Sequence, residues 1–292
     1  MKTDIVKNLV IVCIGLLAIG TARASETNDV KPGQVKGSPF WKLDWSDEFD
    51  KDGKPDQSKW EYVIGGDGFG NGEEQFYTDR LENARVENGK LMIQGRKEDY
   101  ENQHYTSARL VSKQSWVYGR FEFRAKLPRG KGTWPAIWML PDKQVYGPQY
   151  WPDNGEIDIL ESVGRDQNRN YASAHTNFYN FFDGHEQHTT TISVPSGDEQ
   201  FHTYALEWSP TNLSFFIDGE KFMNVDRDSD ADWRKWPFDQ PFHFVMNMAI
   251  GGGFGRGGED IEDSAFPTAL QVENIRVYKP LFTPGITPEL TR

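Results

Sequence analysis

Apolar and polar side chains alternate with a period of two along residues 120–127. Phe121, Phe123, Ala125 and Leu127 fall on one side, and Arg120, Glu122, Arg124 and Lys126 on the other. Successive side chains of a strand point to opposite faces, so this stretch demands a strand buried on one face only. Similar patterns predict strands at Lys90–Gly95, Thr106–Ser112, Gly155–Glu161, Tyr204–Trp208, Leu213–Ile217, Phe242–Met248 and Val272–Tyr278. Asp218-Gly219, directly after the run LSFFI, is a hairpin turn signal. After residue 24 no helical pattern of twelve or more residues appears. Many short strands between Gly, Pro, Asn and Asp turns predict an all-β fold, an antiparallel sandwich with one outer face left for a ligand.

The ends of the chain read differently. Lys2 and Lys7 precede an apolar run from Leu9 to Ile19, and Ala22-Arg23-Ala24 follows. The run is shorter than the ~20 residues a membrane-spanning helix needs, and its ending suits a signal peptidase, so residues 1–24 are expected to be an export signal. A secreted or periplasmic protein follows, with no membrane association once the signal is removed. Residues 25–39 read as a polar leader, 40–281 as one domain, and 282–292, with Pro284 and Pro288, as an irregular tail.

The whole chain carries 32 Lys and Arg against 44 Asp and Glu, a net charge of −12. Cleavage would leave 29 basic and 43 acidic residues, a net of −14, which repels phosphate backbones and excludes broad nucleic-acid binding. The only cysteine, Cys13, would leave with the signal, so the exported domain has no disulfide and no thiolate. A monomer is expected.

The segment Gly155-Glu156-Ile157-Asp158-Ile159-Leu160-Glu161 concentrates acids on a strand. Glu156 and Asp158 share a face, but Glu161 lies three positions beyond Asp158 and would point inward. One extra residue, a bulge at Ile159-Leu160, would bring all three acids into one groove. Such crowding suits glycoside cleavage with retention, which needs one ionised carboxyl to attack the anomeric carbon and one protonated carboxyl to serve the leaving oxygen. Spacing alone does not decide which glutamate does which; Asp158 is expected to hold a proton or hydrogen bond between them. The bland alternative is a solvated acidic strand. Trp134, Trp138 and Trp151 lie just upstream, and exposed rings stack on sugars; the alternative for these rings is core packing.

The block GEIDILE, preceded by GTWPAIWMLP and YWP, resembles the retaining glycoside hydrolases of family sixteen, in the bacterial laminarinase branch. Further matches run from WSDEFD (45–50) through GFGNGEEQFYT (68–78), YTSARL (105–110), YGRFEFRAKLPRGKGTWPAIWMLP (118–141), ASAHTNFY (172–179), FHTYALEW (201–208) and MNMAIGGGFGRG (246–257) to VENIRVY (272–278). The resemblance implies a concanavalin-like β-jelly roll with a substrate cleft across its concave face, and endo-hydrolysis of β-1,3-glucan with retention. It implies Glu156 as nucleophile and Glu161 as proton donor, and no cofactor in catalysis. It also implies Trp134, Trp138 and Trp151 as sugar platforms, with Arg109, Glu74 and Asn71 hydrogen-bonding sugars on the non-reducing side. By the same matching His175 sits beside the acid/base and Asn247 reaches the groove; the alternatives are a satisfied strand histidine and an amide that only bridges backbone.

Two departures qualify the resemblance. Phe69 and Phe254 stand where many laminarinases have Trp, which puts the edges of the cleft in question. Glu273 stands where the family often has Asp, at a structural calcium site that the resemblance places on the convex face with Glu48 and the Gly89 carbonyl; the alternative is a plain surface carboxylate.

Other signals fail. Asp226-Arg227-Asp228-Ser229-Asp230 opens like a calcium loop but has Ala231 and Pro237 where Gly and Glu belong. No phosphate-cradling loop, G-x-S-x-G elbow or H-E-x-x-H pair is present. Two other readings remain: the same mechanism on a marine galactan (agar, porphyran or κ-carrageenan), and a lectin-like module that binds β-glucan without cutting it.

Overall fold

Alternating stretches pair into ladders throughout the computed structural model, which describes residues 41–182, 186–256 and 260–281. The expected signal (1–24), leader (25–39) and tail (282–292) lie outside the described residues. Among the described residues there are seventeen strands. The first eight are β1 (Trp41–Asp47), β2 (Trp60–Tyr62), β3 (Gln75–Tyr77), β4 (Ala84–Val86), β5 (Leu91–Tyr100), β6 (Gln103–Ser107), β7 (Arg109–Trp116) and β8 (Gly119–Lys126). The rest are β9 (Thr133–Pro141), β10 (Glu156–Glu161), β11 (Arg169–His175), β12 (His188–Ser193), β13 (His202–Trp208), β14 (Asn212–Ile217), β15 (Glu220–Asp226), β16 (Phe242–Ile250) and β17 (Thr268–Pro280). The one α-helix among the described residues is Gly252–Arg256.

Two sheets result. One runs β15-β14-β13-β8-β17-β5-β6-β3, with β1 also on β17 and β4 on β5; the other runs β12-β11-β10-β9-β16-β7-β2. All pairs of named strands are antiparallel except β3 with β6. The predicted alternation of β8 holds: Phe121, Phe123, Ala125 and Leu127 are buried. They meet the inner face of the seven-stranded sheet, where Phe244 lies 5.7 Å from Phe121 and 5.5 Å from Trp116 between ring centroids. Each such ring or branched chain taken from water contributes about 1.5–3 kcal/mol, so this seam holds the sheets face to face. The antiparallel sandwich read from the sequence is the fold observed.

Two local outcomes differ. Thr106–Ser112, read as one strand, divides at buried Ala108 into β6 and β7, which belong to different sheets; no Gly, Pro, Asn or Asp marks the crossing. Strand β9 shows no clean alternation because its outer face carries Trp134 and Trp138 instead of charges. At the predicted hairpin, Asp218 and Gly219 both take positive φ, +51° and +86°, as a type I′ turn between β14 and β15 requires.

Candidate active site

Register places the site. Residues directly opposite in adjacent strands share a face, and the ladders pair Glu156 with His175, Asp158 with Trp138 and Ser173, Glu161 with Ala136 and Tyr171, and Asn247 with Ala136 and Arg109. Trp134 lies on the same face of β9, two and four residues from Ala136 and Trp138. The opposite face of these strands supplies Ile137, Met139, Ile157, Met246 and Leu110 to the core. The acids, the tryptophans, Asn247, His175 and Arg109 therefore line the outer face of the seven-stranded sheet.

The bulge is where the spacing requires it. Between Asp158 and Glu161 the register slips against both neighbours, with Leu160 opposite Ile137 and Ile159 left over. Ile157, Ile159 and Leu160 are all buried, and Glu161 emerges beside Glu156 and Asp158. A bulge breaks ladder hydrogen bonds, and Asn170 replaces them: its Oδ1 accepts from the Glu161 N–H at 3.2 Å and its Nδ2 donates to the Ile159 carbonyl at 3.2 Å. Asn170 is fully buried. Asn170→Ala is expected to leave two buried backbone groups unpaired, lowering stability by roughly 2–4 kcal/mol and cutting turnover as Glu161 loses its aim. Urea unfolding alongside laminarin kinetics checks both.

Electrostatics follow from crowding in a protein-walled groove. One ligand-type atom from each of Glu156, Asp158 and His175 lies within 4.8 Å of the others. Burial pushes all three carboxyls upward, Glu156 well above the usual carboxylate range; the charge of Asp158 adds to the rise at Glu156 and Glu161. Trp134 opposes it at Glu161 by donating Nε1–H to Oε1 at 2.8 Å. In the unfolded chain these acids ionise near pH 4. The folded state thus binds more protons above that pH, and stability falls as pH rises from about 4 through the folded values. Glu156→Gln is expected to raise Tm at about pH 8 by roughly 2–6 °C, with the gain vanishing near pH 4; calorimetry at both pH values measures it.

The sequence-predicted residues divide into groups. Trp138 is not core: its Nε1 donates to Asn247 Oδ1 at 2.7 Å, and the Arg109 guanidinium lies 5.0 Å from its ring centre. Asn247 thus reaches the groove by its side chain. His175 approaches Asp158, with Nε2 3.2 Å from Oδ2 but without the alignment of a hydrogen bond. Its ladder partner is Glu156, and it acts electrostatically on both Glu156 and Glu161, lowering the pKa of each. Asn71 donates to Glu73 at 3.1 Å, and Glu74 pairs with Arg256 at 3.4 Å, beyond the end of β16. Phe69 sits 5.3 Å from the Arg109 guanidinium and Phe254 is edge-on to Trp134 at 5.5 Å, so both departures border residues of the groove.

Glu73 went unrecognised beside Glu74, since two adjacent acids look alike without a register. Buried Glu73 accepts from the Tyr77 hydroxyl at 3.0 Å and from Gln75 at 2.7 Å; Asn247 Nδ2 donates to the Tyr77 oxygen at 3.1 Å. This chain of donors fixes the Asn247 amide so that its oxygen faces Trp138. The motif GNGEEQFYT contained the signal, three polar hydrogen-bonding types at alternate positions 73, 75 and 77.

The expected calcium ligands come near each other in the backbone, through the pairings Asp47 with Ile275 and Val272 with Leu91. Their carboxylates are otherwise engaged. Arg276 donates to both oxygens of Glu48, at 2.9 and 2.7 Å, and holds it below the ordinary carboxylate range; Arg124 pairs with Glu273. A calcium ion needs clustered free oxygens. With a guanidinium on each acid this donor set does not fit one, and no chemistry runs through a metal there.

The sequence profile of Glycosyl hydrolases family 16 matches residues 72–264. A beta-glucanase of Rhodothermus marinus is 49% identical over 278 residues, covering 93% of each chain. A glucan endo-1,3-beta-glucosidase of Cryptopygus antarcticus is 36% identical over 240 residues, 77% of this chain and 85% of that one. Among solved structures, the laminarinase from Rhodothermus marinus superposes with a TM-score of 0.81 at 50% identity, over 84% of this chain and 100% of that chain.

Proposed function

The chain belongs to glycoside hydrolase family 16, and from that premise we propose that it is an exported, monomeric endo-β-1,3-glucanase acting with retention on laminarin-type glucan. One observation carries the reading: a single bulge sets Glu156, Asp158 and Glu161 on one outer face, among tryptophans that can stack on sugars. Glu156, ionised, attacks the anomeric carbon; the bond to the leaving sugar breaks and its oxygen takes the proton of Glu161. Water then gives a proton to Glu161 and its oxygen displaces Glu156 from the same carbon, restoring both acids. Asp158 supports the first step by holding the proton that Glu156 gives up, since neighbouring carboxyls in one low-dielectric groove do not all ionise together. The chemistry calls for no cofactor. In this reading Arg109, Glu74 and Asn71 hold sugars on the non-reducing side of the bond cut.

Release of reducing ends from laminarin by the purified protein tests the proposal. Mixed-linkage glucan, agar and κ-carrageenan run in parallel distinguish the polymer, and binding without release would point to a lectin. Cell fractionation and the solution mass check export and the monomer.

A further inference from the structure

Beyond the acids, on the side away from Arg109, the chain leaves rings in water. Phe181 is 50% exposed and Phe182 70%, an exposure that a fold with a full core does not require of two adjacent phenylalanines. They are not isolated. Each lies 5.5 Å from the Trp151 ring centre and they stand 4.3 Å from each other; Trp151 in turn lies 6.2 Å from His175, whose Nε2 faces Asp158. A continuous aromatic surface therefore runs outward from the catalytic groove.

Its support is built. Asn180, buried, donates to the carbonyls of Thr176 and Asn177 at 3.2 and 2.9 Å and accepts from the Phe182 N–H at 2.9 Å. Asn177 donates to Asp153 at 2.7 Å, tying this loop to the one that carries Trp151. The other two rings of the run FYNFF turn elsewhere: Tyr179 stacks on His188 at 3.9 Å and Phe178 lies under Lys235. Phe181 and Phe182 are thus set apart, facing solvent next to the cleft.

We infer that Phe181 and Phe182, with Trp151, are a platform for the glucose units on the leaving-group side of the scissile bond. The chemistry fits: the C–H faces of β-linked glucose stack on aromatic rings, and the platform continues the groove across β10 and β11, opposite the strands that carry Trp138 and Arg109. The inference rests on the glucanase reading above, which gives the cleft its direction. It makes these two phenylalanines determinants of where along a chain the enzyme cuts.

The test follows cleavage of laminarihexaose labelled at its reducing end by the wild type, Phe181→Ala and Phe182→Ala. The wild type is expected to favour bonds that leave two or more glucose units on the reducing side. The alanine variants should lower that preference roughly tenfold relative to the other bonds, while Phe182→Tyr keeps the wild-type pattern. Because the pattern is a ratio between bonds of one substrate, damage to the fold does not imitate the effect. An unchanged pattern, or an equal loss at every bond, overturns the inference. A wild type that leaves both laminarin and laminarihexaose intact overturns the glucanase reading, and this inference with it.

Discussion

Glu156→Gln should reduce turnover of laminarin on the order of 10⁴-fold or more, as loss of a nucleophile does elsewhere, while the protein folds normally. The amide keeps the shape of the carboxyl and cannot attack the anomeric carbon. Its position in β10 is fixed by pairing with His175, and its neighbours Asp158 and Glu161 keep their places, so the loss reports chemistry and not collapse. Azide supplied in solution can attack in place of the missing carboxylate. It approaches from the face opposite the leaving oxygen, so the product should be an α-glycosyl azide, identified by NMR. Retention of more than a few per cent of activity would show that another group attacks.

Glu161→Gln should behave differently. Removing a proton donor costs about 10²–10⁴-fold on laminarin, whose leaving group is a sugar hydroxyl, and far less on an aryl glycoside whose leaving group needs no proton. Azide now intercepts the glycosyl-enzyme ester and gives the β-azide. The pH profile carries a second signature. Burial and the charge of Asp158 hold Glu161 protonated above the usual carboxylate range, so wild-type activity should fall with rising pH only as that raised pKa is passed. The Gln variant should lose this alkaline limb. Equal losses on both substrates, with the limb intact, would move the acid role away from Glu161.

The sequence displayed the sandwich in its period-two runs, and the bulge in a single mismatch of parity: Glu161 stands three positions from Asp158 on a strand where only even offsets share a face. Both are local properties of the chain. What was hidden depends on distant pairing. Asn170, which mends the bulge, is an unremarkable residue in a strand that the alternation did not reveal, and its role exists only because β11 lies alongside β10. Tyr77, whose hydroxyl donates to Glu73, meets Asn247 across 170 positions. The crossing at Ala108 left no mark because no Gly, Pro, Asn or Asp accompanies it. The ladder partner of His175 was hidden for the same reason: matching motifs orders residues along the chain, while the ladder pairs it with Glu156.

The extra residue in β10 gives chain length a chemical meaning at this point. Loss of the single codon for Ile159 would turn Glu161 toward the interior, at a cost in stability for an acid sealed in without a partner. Trp134 and Trp138 belong to another strand and would still offer their rings to a passing polysaccharide. On this scaffold a cutter and a mere holder of glucan would differ by three nucleotides.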